Sequence, residues 1–438
     1  MNIAMNFDLL IIGAGPAGLS AALVAADRGA CVGIVDDNPL PGGQIWRQGP
    51  AHPPVGRARA LLGALEQRPN VAHLPGTRVV QVLPGKRLLV EDAERGLTLG
   101  YGKLILAIGA RERFLPFPGW TLPGVTGAGG LQALVKGGTP VAGQRIVVAG
   151  SGPLLWAAAA TARAQGAVIV AIVEQAAPTA VTRFARALVR TPAKLAQAMR
   201  LRLDLWRTPY WRGAHVISAD GDAQLRRVTV RRPGGGIGDI ELSCDRLACA
   251  YGLLPNVELA TALGCRLTLY ADTTAIEVDA WQGTSVADIY AAGECTGVGG
   301  MELSAVEGRI AAHAVLGNPD AARRLFASRE RYRRFSTRLH TAFALDPALR
   351  TLPADDTVFC RCEDVSFGQL TGHTTWRAAK LHTRCGMGPC QGRICGAAAA
   401  FCLGWQPLEP SQPSDTRPPL APARIGTLAG AYDAADMA

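Results

Sequence analysis

Short apolar runs that stop at glycine turns set the rhythm of this chain. The segment Asp8-Leu9-Leu10-Ile11-Ile12 is apolar after its first residue and ends at Gly13. Leu19 to Arg28 then has helical composition, and Cys31 to Val35 is a second apolar run. Runs of roughly four to eight apolar residues bounded by turn signals read as buried strands. The order strand, turn, helix, strand therefore predicts the opening of a doubly wound unit. The same order returns at Arg145-Ile146-Val147-Val148-Ala149, with a turn at Gly150, a helical stretch to Gln165 and a strand from Ala167 to Val173. Two such units predict two nucleotide-binding domains of related design. Two further runs, Leu104 to Ile108 and Ile289 to Ala292, end at Gly109 and Gly293, and a helix-like stretch follows from Ala305 to Leu316. A proline-rich crossing from Pro116 to Pro123 reads as a domain boundary, and Arg323 to Phe335 as a charged helix or linker. The expected division is a first domain over 1–115 that is completed by 266–335. A second domain covers 116–265, a cysteine-rich module 350–405, and an extended proline-rich tail 406–438.

The first turn carries chemistry. Gly13-x-Gly15-x-x-Gly18, with Pro16 and Ala17 between its last two glycines, follows a strand and opens a helix. That is the context the dinucleotide fingerprint requires. Its glycines let the backbone approach a pyrophosphate, whose charge rests at the helix N-terminus. Asp36 ends the second strand, eighteen positions after Gly18, where a carboxylate accepts hydrogen bonds from ribose hydroxyls. The second turn, Gly150-Ser151-Gly152, has Leu155 where the third glycine would stand. Glu174 ends the following strand, and its charge would repel a 2′-phosphate, so NAD is expected over NADP. Leu155 predicts a shifted helix, which leaves open a domain that no longer exchanges NAD(H) or holds another adenine nucleotide.

Composition narrows the class. The chain has 438 residues, 48% of them hydrophobic and 18% charged, an ordinary globular balance with room for two or three cores. No apolar run approaches the ~18 residues of a membrane helix. The first apolar run feeds into a glycine turn and reads as a buried strand, not a signal peptide. The net charge of +10 is concentrated between Arg183 and Arg232 without any RNA- or DNA-binding signature. Nucleic acid is not expected there; a solvated surface or a face for an acidic protein partner is. Eleven cysteines, five of them between Cys360 and Cys395, argue against a disulfide framework and for a reduced, cytoplasmic setting with a metal site. Cys360-x-Cys362, Cys385, Cys390 and Cys395 have spacing suited to an iron–sulfur cluster or zinc. Gly386, Gly388, Gly392 and Gly396 interleave with them. No His–Asp or paired-carboxylate constellation marks an acid–base site, so catalytic residues stay unassigned.

The string DLLIIGAGPAGLSAALVAADRG resembles the FAD end of the two-dinucleotide-domain flavoproteins. Three further segments share the resemblance. Pro41-Gly42-Gly43-Gln44 is similar to the loop beside the flavin, and LILAIGARER, which contains Ala107 and Gly109, to the strand that crosses back near it. DIYAAGECTG resembles the second flavin motif, in which Gly293 and Glu294 stand; the family commonly has Asp at the ribityl-binding position that Glu294 occupies here. FCRCEDVSFGQLTG with KLHTRCGMGPCQGRICG resembles the bacterioferritin-associated-ferredoxin-like [2Fe–2S] module. That likeness implies Cys360, Cys362, Cys390 and Cys395 as ligands, with Cys385 a spare.

The combination is similar to the A or α subunits of opine oxidases and D-hydroxyproline dehydrogenase and to the B subunit of hydrogen cyanide synthase. It implies an α/β fold with two Rossmann-like domains of disulfide-reductase-like flavoprotein type, plus a small, mainly helical [2Fe–2S] domain. The implied role is electron transfer, through FAD and the cluster, within a heteromeric enzyme that oxidises an amino-acid-type amine. The implied partners are a small third subunit and a flavoprotein resembling D-amino-acid oxidase. No Cys-x-x-Cys lies beside the flavin motifs, which disfavours a dithiol reductase. Two other readings stay open: a stand-alone NADH-dependent reductase serving a ferredoxin-like acceptor, and a scaffold that binds FAD and a nucleotide to hold a catalytic partner.

Overall fold

Strands buried on both faces must be apolar throughout, and the run Leu9 to Ile12 is placed accordingly. In a computed structural model that describes residues 4–50, 52–232, 238–405 and 417–433, it forms the end of strand Ala4–Ile12. This strand lies inside a seven-stranded sheet ordered Val71–Leu74, Val32–Val35, Ala4–Ile12, Gly96–Leu106, Arg87–Glu91, Arg78–Leu83. Ile289–Ala291 adds to Gly96–Leu106 as a further parallel strand. Helices Pro16–Ala26 and Met301–Val315 cover one face. Their contact is close because Gly308 puts no side chain against the Ala17 carbonyl.

The second unit repeats the design. Its parallel sheet runs Tyr210–Arg212, Val168–Glu174, Arg145–Gly150, Arg246–Ala250, Val125–Thr126. A three-stranded antiparallel sheet, His215–Asp220, Arg227–Arg231 and Ile240–Ser243, packs on it. The chain enters and leaves this unit side by side: Ala110–Glu112 pairs antiparallel with Leu253–Pro255. The first sheet is therefore completed by residues that follow the second unit.

The charged stretch after Arg323 is helical. Helix Phe326–Ala342 extends beyond the expected linker and leads into the cysteine-rich module. That module has a small ribbon, Val358–Cys360 with Val365–Ser366, and helices Trp376–Thr383 and Cys395–Cys402 around an apolar centre. The tail departs from extended chain. Residues 406–416 and 434–438 lie outside the described residues, but Ile425–Asp433 is a helix. Leu420 is buried in the first core and Leu428 packs against Val80 and Leu89, so apolar contacts fold back this part of the proline-rich segment. No described helix is long and apolar enough to cross a membrane.

Candidate functional site

The expected flavin residues meet where the parallel strands of the first sheet end. Gly13, Asp36, Ala107 and Gly293 follow the strand ends Ile12, Val35, Leu106 and Ala291. A Cβ on Gly18 would lie 1.9 Å from the Gly13 carbonyl oxygen, so any side chain there would push helix and turn apart. Pro16 and Ala17 open the helix, where the missing proline N–H costs nothing. The Gly42–Gln44 loop lies over the turn: Gly42 N–H donates to Ala14 O at 2.7 Å, and Gly43 and Gly15 face one another backbone to backbone. Asp36 is buried and accepts from Ala14 N at 2.5 Å, Asn38 N at 2.7 Å and Asn38 Nδ2 at 2.8 Å. Gln44 is exposed and accepts from Arg47 Nη2 at 3.1 Å. Gly109 accepts from Asn256 N at 3.0 Å. Glu294 is half-buried and accepts from Gly300 N at 3.1 Å. Desolvation holds its carboxyl above the usual range, the Gly300 N–H opposes this, and neighbouring Glu307 adds to the rise. A glycine turn, an unencumbered helix start and an acid at the second strand's end fit FAD.

Glu307 belongs to the same site and was missed in the sequence. It is 2% exposed, accepts from Gly293 N and Thr296 Oγ1 at 3.2 Å each, and pairs with Arg333 at 3.0 Å. Burial raises its pKa, against Arg333. The available signal is an acid among the apolar and small residues of Met301–Val315, on the face that packs inward.

The second turn differs from the first. Glu174 is buried and accepts from Gly152 N and Ala176 N, at 2.8 Å each. Burial pushes its carboxyl up to about 7, against those two amides. Leu155 is fully buried, and the helix over the turn starts at Leu154, one position later than its counterpart at Pro16. Leu155 N–H donates to Gly152 O at 3.2 Å.

All five clustered cysteines converge. Cys360 ends a strand, Cys395 opens a helix, and Cys385 follows helix Trp376–Thr383 and a left-handed Arg384. The thiols of Cys360, Cys385 and Cys395 lie within 4.8 Å of one another. Thiol donors at Cys385 and Cys395 lower the Cys360 pKa to about 2, while Cys385 is raised to about 12 and Cys395 is also raised. Burial raises the Cys362 thiol, and the neighbouring Cys390 adds to the rise. A Cβ on Gly388 would sit 2.3 Å from the Cys362 Cβ, so glycine lets this loop close on the thiols. Two groupings thus compete. The tight triad includes Cys385, yet the cavity of about 210 Å³ is lined by Cys360, Cys362, Cys390 and Cys395 with Phe114 and Trp120, and not by Cys385. A cluster needs space as well as sulfur, so the cavity is the better guide, and its donor set fits iron or zinc.

The two sites are joined. Arg111, just past Gly109, donates Nε to the Arg393 carbonyl at 3.1 Å and Nη1 to Asn256 Oδ1 at 2.9 Å, and pairs with Glu258 at 2.9 Å. Asn256 Nδ2 in turn donates to Ile108 O at 2.8 Å. Arg393 lies between Cys390 and Cys395, so the loop carrying two thiols is tied to the strand end beside the flavin motifs.

Similarity to known proteins agrees with this arrangement. The A-type subunit of opine oxidase from Rhizobium meliloti is 33% identical, covering 97% of this chain and 98% of that protein. Hydrogen cyanide synthase subunit HcnB of Pseudomonas aeruginosa is 34% identical, covering 97% and 100%. Among solved structures, L-proline dehydrogenase from P. horikoshii shares the fold, with a TM-score of 0.68 at 19% identity over 98% of this chain and 80% of that one. Residues 7–315 match the pyridine nucleotide-disulphide oxidoreductase model, and with a relative above 30% identity over nearly the whole chain, the protein belongs to that family of FAD-dependent oxidoreductases.

Proposed function

We propose that the chain is the FAD- and [2Fe–2S]-containing electron-transfer subunit of a heteromeric dehydrogenase or oxidase acting on an amino-acid-type amine. The substrate belongs to the opine, D-hydroxyproline, proline or glycine class. The observation that carries this is the cavity lined by four cysteines, whose loop is hydrogen-bonded through Arg111 and Asn256 to the strand end at the flavin site. When bound, FAD supplies a two-electron carrier and the cluster a one-electron carrier. Asp36 would accept ribose hydroxyls, the turn at Gly13, Gly15 and Gly18 would face the pyrophosphate, and Glu294 the ribityl chain. Cys360, Cys362, Cys390 and Cys395 would hold the irons, with Cys385 behind them. Phe114, Trp120 and Phe359 give the cavity an apolar wall. Arg111 fixes the Cys390–Cys395 loop at a set distance from the flavin site.

The named relatives are subunits, which supports a partner. The partner of this chain is a flavoprotein resembling D-amino-acid oxidase that holds the amine site, together with a small third subunit. The eleven cysteines are all free, which supports a cytoplasmic location.

The test is anaerobic purification of the chain, alone and with its partner, followed by absorption spectra during addition of NADH and then of amines. Flavin bands with a broad iron–sulfur shoulder, bleached by an amine only in the complex, are expected. Zinc without iron at the cysteines would overturn the electron-transfer role. Bleaching by NADH in the isolated chain would make it a stand-alone reductase.

A further inference from the structure

The mouth of the second dinucleotide fold is crossed by the chain itself. Ser151, at the centre of the glycine turn, donates Oγ–H to Phe343 O at 2.9 Å. Gln175, the residue after Glu174, donates Nε2 to Ala344 O at 3.0 Å and to Ser151 Oγ at 2.9 Å, and accepts from Asp346 N at 3.0 Å. Ser151 and Gln175 are both buried. These positions are the turn that would face a pyrophosphate and the strand end that would face a ribose. The Phe343 ring stands over Gly152, where an added Cβ would be 3.8 Å from it, and the Phe184 ring meets it edge-on at 5.2 Å.

The first unit shows the contrast. The counterpart of Ser151 is Ala14, which has no side-chain donor, and that of Gln175 is Asp37, which is exposed to solvent and pairs with Arg78.

The same segment leads straight into the cysteine-rich module. Leu345, Leu349 and Leu352 pack into the core of the second unit. Asp346 accepts from Ala348 N at 2.9 Å and so starts the short turn Pro347–Thr351. Arg350 then lies over the Phe401 ring, 5.5 Å from its centre, on the helix that Cys395 opens.

We infer that the second dinucleotide fold takes the chain's own segment Phe343–Asp346 as its ligand, and serves to anchor the cysteine module instead of binding NAD(H). Ser151 and Gln175, buried at this mouth beside Glu174, already have main-chain partners in the segment, so a nucleotide must first displace it. The inference goes beyond the electron-transfer role and holds whether the cysteines carry iron or zinc.

The experiment uses the full chain saturated with FAD. NADH and ATP are titrated separately, and amide hydrogen exchange is followed over 150–155, 343–351 and 395–402. The expected result is no saturable binding of either nucleotide, with 343–351 protected. Replacing Gln175 by leucine should speed exchange at 343–351 by about tenfold, the effect of losing one to two hydrogen bonds, and carry the increase into 395–402. Phe343→Ala, which leaves the buried Ser151–Gln175 pair intact, should shift exchange the same way and serves where Gln175→Leu fails to fold. Binding of either nucleotide tighter than about 100 µM, a modest affinity, with new protection at 150–155 would overturn the inference. So would unprotected exchange at 343–351 in the unaltered protein.

Discussion

Replacing Glu307 by alanine should unfold the flavin site before any cofactor is present. The carboxylate is 2% exposed and accepts from the buried Gly293 N–H while pairing with Arg333, whose side chain is 40% exposed; the nearby Thr296 O–H has a second acceptor in Gly293 O at 2.9 Å. Stranding the buried Gly293 N–H costs about 1–3 kcal/mol. The ion pair adds less than about 1 kcal/mol, because solvent screens Arg333. A loss of about 1–4 kcal/mol for Glu307→Ala follows, against less than about 1 kcal/mol for Glu307→Gln, which keeps a carbonyl acceptor. The turn at Gly293 also presents Glu294, so FAD affinity should fall with stability, about tenfold for each 1.4 kcal/mol. Urea unfolding of the FAD-free protein gives the first quantity and a FAD titration the second. A Glu307→Ala protein within about 0.5 kcal/mol of the parent, the usual range of surface substitutions, would refute the reasoning.

Glu174 should make stability depend on pH. Its carboxyl, ordinarily near 4.5, is pushed up to about 7 in the fold, so the native state holds a proton that the unfolded chain releases. Stability should therefore fall as pH rises from about 4.5 to 7 and level off above, a penalty of about 3 kcal/mol at most. The difference in Tm between parent and Glu174→Gln should change across that window, and a constant difference would count against it. Gly18→Ala should purify without yellow colour, because its Cβ meets the Gly13 carbonyl; full FAD content measured by absorbance would contradict this. Cys362→Ser and Cys390→Ser should lose iron and the visible cluster absorbance, whereas Cys385→Ser should keep both. Equal iron loss in all three would move Cys385 into the ligand set.

The glycine turns, the acids at strand ends and the cysteine cluster were legible in the sequence because each is local. Gly13, Gly15, Gly18 and Asp36 form one strand–turn–helix–strand unit, so their spacing already contains their geometry. Glu307 was not legible, since its donors lie eleven and fourteen residues earlier and its function depends on how two helices and a turn meet. The Arg111 bridge joins residues 282 positions apart, and no periodicity records such a contact. The tail was misread for the opposite reason. Its prolines describe local backbone preference, while Leu420 and Leu428 answer to the sheet they cover. Competition between Cys385 and the cavity-lining cysteines is likewise a matter of depth, which spacing does not encode.

The antiparallel ribbon between Ala110–Glu112 and Leu253–Pro255 has a consequence for biosynthesis. The sheets of the second unit are continuous in sequence and can pair as soon as they leave the ribosome, although Leu345, Leu349 and Leu352 join its core only later, whereas the first sheet waits for Ile289–Ala291 and Glu307. Until then the carboxyl end of strand Gly96–Leu106 is an open edge, a template for mispairing with another chain. A chain halted before residue 289 would thus carry an inner domain with its sheets paired but its mouth uncovered, and an unfinished outer one, prone to aggregate and unable to retain flavin. Translation speed through the inner domain sets how long that edge stays bare.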